Sequence, residues 1–160
     1  MQAAGARVLV IAAALLVAVA GCGGGSGGGG GRLSKSEYEQ KLKAEGSHLK
    51  AAFSGVDLST SNTNALAAKL TKLQGELDRS ASDIGDLNPP EDAEAANRKL
   101  ASVLHRAADE FGKLSEAAKK KDVKRLQQLG QDVAVVLRDG QAAANELKSK
   151  GYDIGALGEG

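Results

Sequence analysis

Residues 66–87 read LAAKLTKLQGELDRSASDIGDL, and Leu66, Leu70, Leu73, Leu77, Ser80, Ile84 and Leu87 recur in steps of four and three. On a helix of 3.6 residues per turn, that stepping keeps one stripe on one face, and every position but Ser80 is apolar. Leu126, Leu129, Val133, Val136, Gly140, Ala143 and Leu147 repeat the pattern. Ala96, Leu100, Val103, Ala107, Phe111, Leu114 and Ala117 follow it more loosely, and Tyr38, Leu42, Glu45, Leu49, Ala52 and Val56 form the weakest copy.

The boundaries between these stripes are marked by residues with local chemistry. Ser34-Lys35-Ser36-Glu37 has the S-x-x-E form, in which serine and glutamate satisfy each other's end-of-helix amides. Residues 54–62 are polar and turn-rich, Asn88-Pro89-Pro90 stops one helix and primes the next, and Gly151 follows the last periodic residue as a C-cap does. Helices are expected near 34–53, 62–87, 91–120 and 122–150. Short connections make neighbours antiparallel, so the fold class is all-α, an up-down-up-down four-helix bundle. A long intermolecular coiled coil is the rival, disfavoured because four stripes on one chain can bury one another. Glycines 46, 75, 112, 130 and 140 fall inside helices, each at a cost of about 0.8–1 kcal/mol relative to alanine, which points to modest stability.

Upstream, Val8 to Ala20 is apolar without interruption and follows Arg7. A transmembrane helix needs about 20 apolar residues, so this stretch is short for a span and suits the core of a signal peptide. It ends in Val19-Ala20-Gly21-Cys22, and Cys22 is the chain's one cysteine. The run resembles the lipobox of bacterial lipoproteins, with Val19 where leucine is commonest. The resemblance implies a diacylglyceryl group on the Cys22 thiol, cleavage before Cys22, and a protein held by its acyl chains on the extracytoplasmic face of the cell membrane. Two chains are the usual requirement for stable anchoring. An ordinary cleaved secretory signal and an uncleaved N-terminal anchor are the alternatives. In composition and in the Leu87-Asn88-Pro89-Pro90 turn, the helical part resembles small lipoproteins of high-GC bacteria.

The expected organisation is a signal peptide over 1–21, a lipidated Cys22 with a Gly/Ser-rich linker over 22–31, the bundle over 32–151, and a flexible tail over 152–160. Eight glycines and Ser26 fill residues 23–31, a coil spanning about 15–18 Å root-mean-square. Of the 21 lysines and arginines only Arg7 lies in the leader, so the remainder balances 20 bases against 20 acids. No overall field attracts nucleic acid, and four aromatic residues offer no base-stacking platform.

Candidate sites are few. Glu45-Gly46-Ser47-His48 is a Glu-x-x-His turn able to give a bundle-core metal two ligands, but the second copy that carboxylate-bridged sites use is missing, because His105 has Ser102 three residues before it. A solvent-facing Glu45 on a frayed helix is the alternative. Lys119, Lys120, Lys121, Lys124 and Arg125 mark one end of the bundle, and Asp83, Asp86, Glu91, Asp92 and Glu94 the other. The helix dipole alone accounts for acids and lysines at the two ends of the third helix, and a basic binding tip is the competing reading. Gly140 reads as a close helix approach or a kink, or as room for a small ligand. Asp132, Asp139 and Glu146 form a heptad stripe of solvated acids or salt-bridge partners. No phosphate loop, haem attachment or nucleophile elbow is present, and no cofactor is expected. The reading is a non-enzymatic, tethered helical module whose partners are the membrane, through acylated Cys22, and another envelope protein or polymer. A small-ligand or metal-binding sensor or carrier is the alternative.

Overall fold

The computed structural model describes residues 31–54 and 62–158. The leader, the lipobox, nearly all of the tether and Val56 of the first stripe lie outside them. Four helices fill the described chain: α1 (Lys35–Ser54), α2 (Thr63–Gly85), α3 (Glu94–Lys119) and α4 (Val123–Ser149), with short 3-10 turns at Glu91–Ala93 and Gly155–Gly158. Each boundary falls within three residues of that expected from the stripes.

The ends close as the local chemistry dictates. At α1 the Ser34 N–H donates to Glu37 Oε2 at 2.9 Å and the Glu37 N–H donates to Ser34 Oγ at 3.3 Å. The Ser34 hydroxyl bonds the same carboxylate at 2.6 Å and holds the Glu37 carboxyl below its usual range. Asn62 and Asp122 cap α2 and α4 through their side chains. Both α3 and α4 end in a paired six-to-one and five-to-two amide pattern around a left-handed residue. In α4 that residue is Gly151 at φ 80°; in α3 it is Lys121 at φ 55°.

Cross-helix bonds set the directions. Glu45 meets Ser80 and His48 meets Glu76 between α1 and α2; Ser115 meets Ala67 and Asn97 meets Ile84 between α2 and α3; Lys99 meets Glu146 and Arg106 meets Asp139 between α3 and α4. On every pair, ascending numbers face descending ones, so the bundle runs up-down-up-down. The helix α3 is its spine. Its buried alanines at 96, 101, 107, 108, 117 and 118 let α2 and α4 close on it from two sides, which is why its buried stripe is broader than a single seam.

The fourth interface is different. The helix α1 leans on α2 and on the C-terminal turn rather than directly on α4. The expected flexible tail is therefore corrected over its described part: Tyr152 is 5 % exposed and Ile154 2 %, and residues 155–158 wedge between α1 and α4. The wedge fits because Gly46 has no side chain. A Cβ there would stand 2.9 Å from the Leu157 amide nitrogen and 3.0 Å from Leu157 Cγ, so the glycine that looked like a weakness of α1 is the seat of the C-terminal turn. Further pins add to it: the Tyr38 ring meets the Tyr152 ring edge-on at 5.5 Å, Lys43 pairs with Asp153 at 2.6 Å, and Tyr152 Oη donates to Asp92 Oδ1 at 2.6 Å.

Deep in the same end, Tyr38 Oη donates to Asn97 Oδ1 at 2.9 Å, and Asn97 Nδ2 donates to the Ile84 carbonyl at 2.9 Å. One amide thereby joins α1, α2 and α3 and satisfies two buried groups that would otherwise cost about 1–3 kcal/mol each. Nearby, the tether-side end of α1 is fastened to the Pro-Pro turn, where the Leu33 N–H donates to the Asn88 carbonyl at 2.7 Å and Arg32 donates to the Pro89 carbonyl at 3.0 Å and to Glu94 at 2.7 Å.

Gly75 and Gly130 face open space, so Gly75→Ala and Gly130→Ala should each raise the free energy of urea unfolding by about 0.8–1 kcal/mol, whereas Gly46→Ala should lower it by about 1–3 kcal/mol, because the clash falls on backbone. Burial raises the Tyr38 phenol above its ordinary value of 10; burial and then the hydrogen bond to Asp92 push Tyr152 up to about 12. A raised phenol contributes stability that is complete below pH 10 and is lost as pH rises through the folded value. The urea midpoint should therefore hold up to about pH 10 and fall between pH 10 and 12, and Tyr152→Phe should flatten that fall.

Candidate functional site

An apolar slot opens beyond the C-terminal turn, where the wedge keeps α1 and α4 apart. Its volume is about 430 Å³, within the range of small-molecule sites, about 300–1,000 Å³. The α1 wall is Gly46, Leu49, Lys50 and Phe53; the α4 wall is Val136, Leu137, Gly140 and Gln141. Leu100, Val103, Leu104 and Ala107 of α3 form the floor, with Leu77 of α2 behind, and Ala156 and Leu157 close one end. Lys50 is the charged residue among this lining.

The slot runs from buried residues to exposed ones. Val103 on the floor is 6 % exposed and Ala107 7 %, whereas the rim residues Phe53 and Leu137 are 37 % and 57 % exposed. Phe53 is held at the rim by an edge-on contact with Phe111 at 5.8 Å. A Cβ on Gly140 would meet Val103 Cγ1 at 3.4 Å, ordinary van der Waals contact, so the packing there has room for a methyl group and no close helix approach requires the glycine, which lines the slot.

The other candidates are placed as follows. Glu45 points at α2, accepts a hydrogen bond from buried Ser80 at 2.9 Å, and lies 4.0 Å from Arg79. Its side chain is only 19 % exposed, and helix α1 continues intact past it, so the solvent-facing, frayed picture is corrected: Ser80 on the α2 stripe needs an acceptor and Glu45 supplies it. His48 Nε2 sits 3.2 Å from Glu76 Oε2. No cluster of three or more His, Cys, Asp or Glu able to hold a metal ion occurs among the described residues.

At the basic end, Lys119 is paired with Glu116 at 2.7 Å, Lys121 ends α3 in its left-handed conformation, and Lys124 and Arg125 open α4. The hollow beside them is larger than the slot, about 720 Å³, but Asp109, Glu116 and Asp122 line it together with Lys113, Lys120 and Arg125. Interleaved signs make it a poor receptor for either charge. The dipole explains Lys119 but not Lys124 and Arg125, which stand at the N-terminus of α4. The acidic stripe on α4 divides its roles: Asp139 pairs with Arg106 at 3.0 Å and Glu146 with Lys99 at 3.4 Å, while Asp132 is exposed. The buried Glu110 Oε2 has no hydrogen-bond partner, yet its carboxylate is compensated by Lys113 at 2.7 Å through Oε1. Cys22 and Val19-Ala20-Gly21 lie outside the described residues, and among the described helices none is long and apolar enough to cross a membrane.

The slot escapes a reading by stripes. Phe53 and Leu137 are off-seam apolar residues, and the doublet Val136-Leu137 is the trace they leave, because one helix face buries only the first of the pair. Comparison with protein-family models, curated proteins and solved structures found no match to this chain.

Glu45→Ala should cost about 1–3 kcal/mol by leaving the Ser80 hydroxyl buried without its acceptor, and adding Ser80→Ala should restore much of that loss in a double-mutant cycle read by thermal unfolding. In the same assay, Lys121→Gly should gain about 0.5–1 kcal/mol by relieving a left-handed lysine.

Proposed function

We propose that the chain is a non-enzymatic binding module, tethered by an acylated Cys22 to the extracytoplasmic face of the membrane, and that it takes up another envelope component at the slot between α1 and α4. The observation that carries this reading is the slot itself: an apolar cleft with Phe53 and Leu137 exposed at its rim, on a bundle whose remaining surface is rich in paired charges. Its placement supports the tether. Arg32, where the linker enters, is fastened at the Pro-Pro end, and α1 then rises about 1.5 Å per residue from Lys35, so Leu49 stands about 21 Å along the helix from its start. A head held in this way presents its slot away from the anchoring leaflet, and the acids of the Pro-Pro end face that leaflet, which repels them.

A photocrosslinking residue at position 137 should capture an envelope component in living cells, and the same residue at position 120, in the basic end, should capture much less. Membrane fractionation of a Cys22→Ala form should find it released or mislocalised. Capture at 120 alone would move the binding surface to the basic tip, and an unmoved Cys22→Ala form would remove the anchor.

A further inference from the structure

Helix α4 carries two stripes. Leu126, Leu129, Val133, Val136 and Gly140 face the bundle, and the residue after each of them belongs to a second stripe about 100° further round the helix. Val123, Gln127, Gly130, Ala134, Leu137 and Gln141 step along it by four and three, the spacing of a coiled-coil seam. This stripe holds no charge and lies open. Val123 is 65 % exposed, Leu137 57 %, Gln127 and Ala134 are exposed, and a Cβ on Gly130 would meet nothing. On the flank away from the slot, Gln131, Val135 and Ala142 are exposed too, and Lys124 and Arg138 are its charges. Among the described residues, three of the four large apolar side chains that are exposed stand on this half of α4, which no other element covers.

We infer that two copies of the chain pair side by side and parallel through this half of α4. The area suffices. From Val123 to Asn145 the helix runs about 33 Å, and half the girth of a cylinder about 10–12 Å across is about 17 Å, which gives a face of about 550 Å². Two such faces bury about 1,100 Å², just above the roughly 1,000 Å² that a specific interface needs. The side chains select a second copy. A glutamine amide both donates and accepts, so Gln127 and Gln141 can each satisfy the same residue across a two-fold axis, and polar residues at such seam positions fix the register of a parallel pair. Gly130 and Ala134 let the two backbones approach, and Leu137 meets its counterpart on the next turn. With no charge on the stripe, no row of like charges opposes the pairing. Parallel copies bring both Arg32 clamps to one end, as two tethers on one leaflet require. The direction of pairing rests on the tethered reading; the face itself does not. An interface of this size is at the low end, and confinement to one surface supplies the effective concentration it needs.

The test places one cysteine at a time in the full-length protein and oxidises membranes from the expressing cells. Disulfide dimers are read on non-reducing gels above the background of the wild type, whose one cysteine is Cys22. Ala134→Cys should dimerise at least tenfold more than Asp132→Cys, an exposed position on the other side of α4. Adding Gly130→Glu to Ala134→Cys should lower that yield at least tenfold with helicity unchanged by circular dichroism, because position 130 is open in a single copy. Between two differently tagged chains, Val123→Cys and Gln141→Cys should form no mixed disulfide, since a parallel pair holds them about 27 Å apart along the axis. Equal dimer from positions 132 and 134, no dimer from 134, or a 134 dimer indifferent to Gly130→Glu would each overturn the pairing, and a mixed 123–141 disulfide would overturn its direction. Photocapture of another component at position 137 with no dimer from 134 removes this inference and leaves the slot reading standing; a 134 dimer without such capture does the reverse.

Discussion

A missing methyl group at Gly46 sets the distance at which the C-terminal turn can sit against α1. In a closed four-helix bundle the first and last helices zip together along their length. Here Leu157 occupies part of that interface, its amide approaching the Gly46 backbone more closely than any Cβ tolerates. The wedge holds α1 and α4 apart, and the part of the interface it does not fill is the slot. Tyr38, Tyr152 and Asn97 lock the opposite end, so α1 is pinned where the chain enters and propped where the slot begins.

This division of labour explains how a core poor in aromatics stays specific. Alanines on α3 contribute little area each, about 0.8 kcal/mol per buried methyl, but they bring α2 and α4 close enough for dense contact. Buried polar groups then choose one register: Asn97 joins three helices, Ser115 ties α3 to the Ala67 carbonyl and Thr71, and Ser80 reaches Glu45. A slip of either helix would strand these groups without partners. The surface ion pairs, most of them well exposed and open to screening by salt, contribute little to stability and steer little.

The helices were legible because their apolar spacing, the Ser34–Glu37 box and the Pro-Pro turn are local signals, each confined to one segment. The C-terminal turn was not. Tyr152, Ile154 and Leu157 are separated by Asp153, Gly155 and Ala156, a spacing that matches neither helix nor strand, and the seating of Leu157 depends on Gly46 more than a hundred residues earlier. Glu45 was visible as a residue on the seam, but its task follows from Ser80 on another helix. The slot was hidden for the same reason: it is a property of the distance between two helices, and neither sequence segment contains that distance.

The clamp on Arg32 has a mechanical consequence. Any pull arriving along residues that precede it is received by the Leu33 amide on Asn88 and by the guanidinium on Pro89 and Glu94, all at the α2–α3 turn. The load therefore runs into the spine of the bundle as shear across several bonds at once, instead of peeling α1 away one turn at a time. Tension on the chain ahead of Arg32 is thus taken up at the α2–α3 turn before it reaches the α1 wall of the slot, which begins at Gly46.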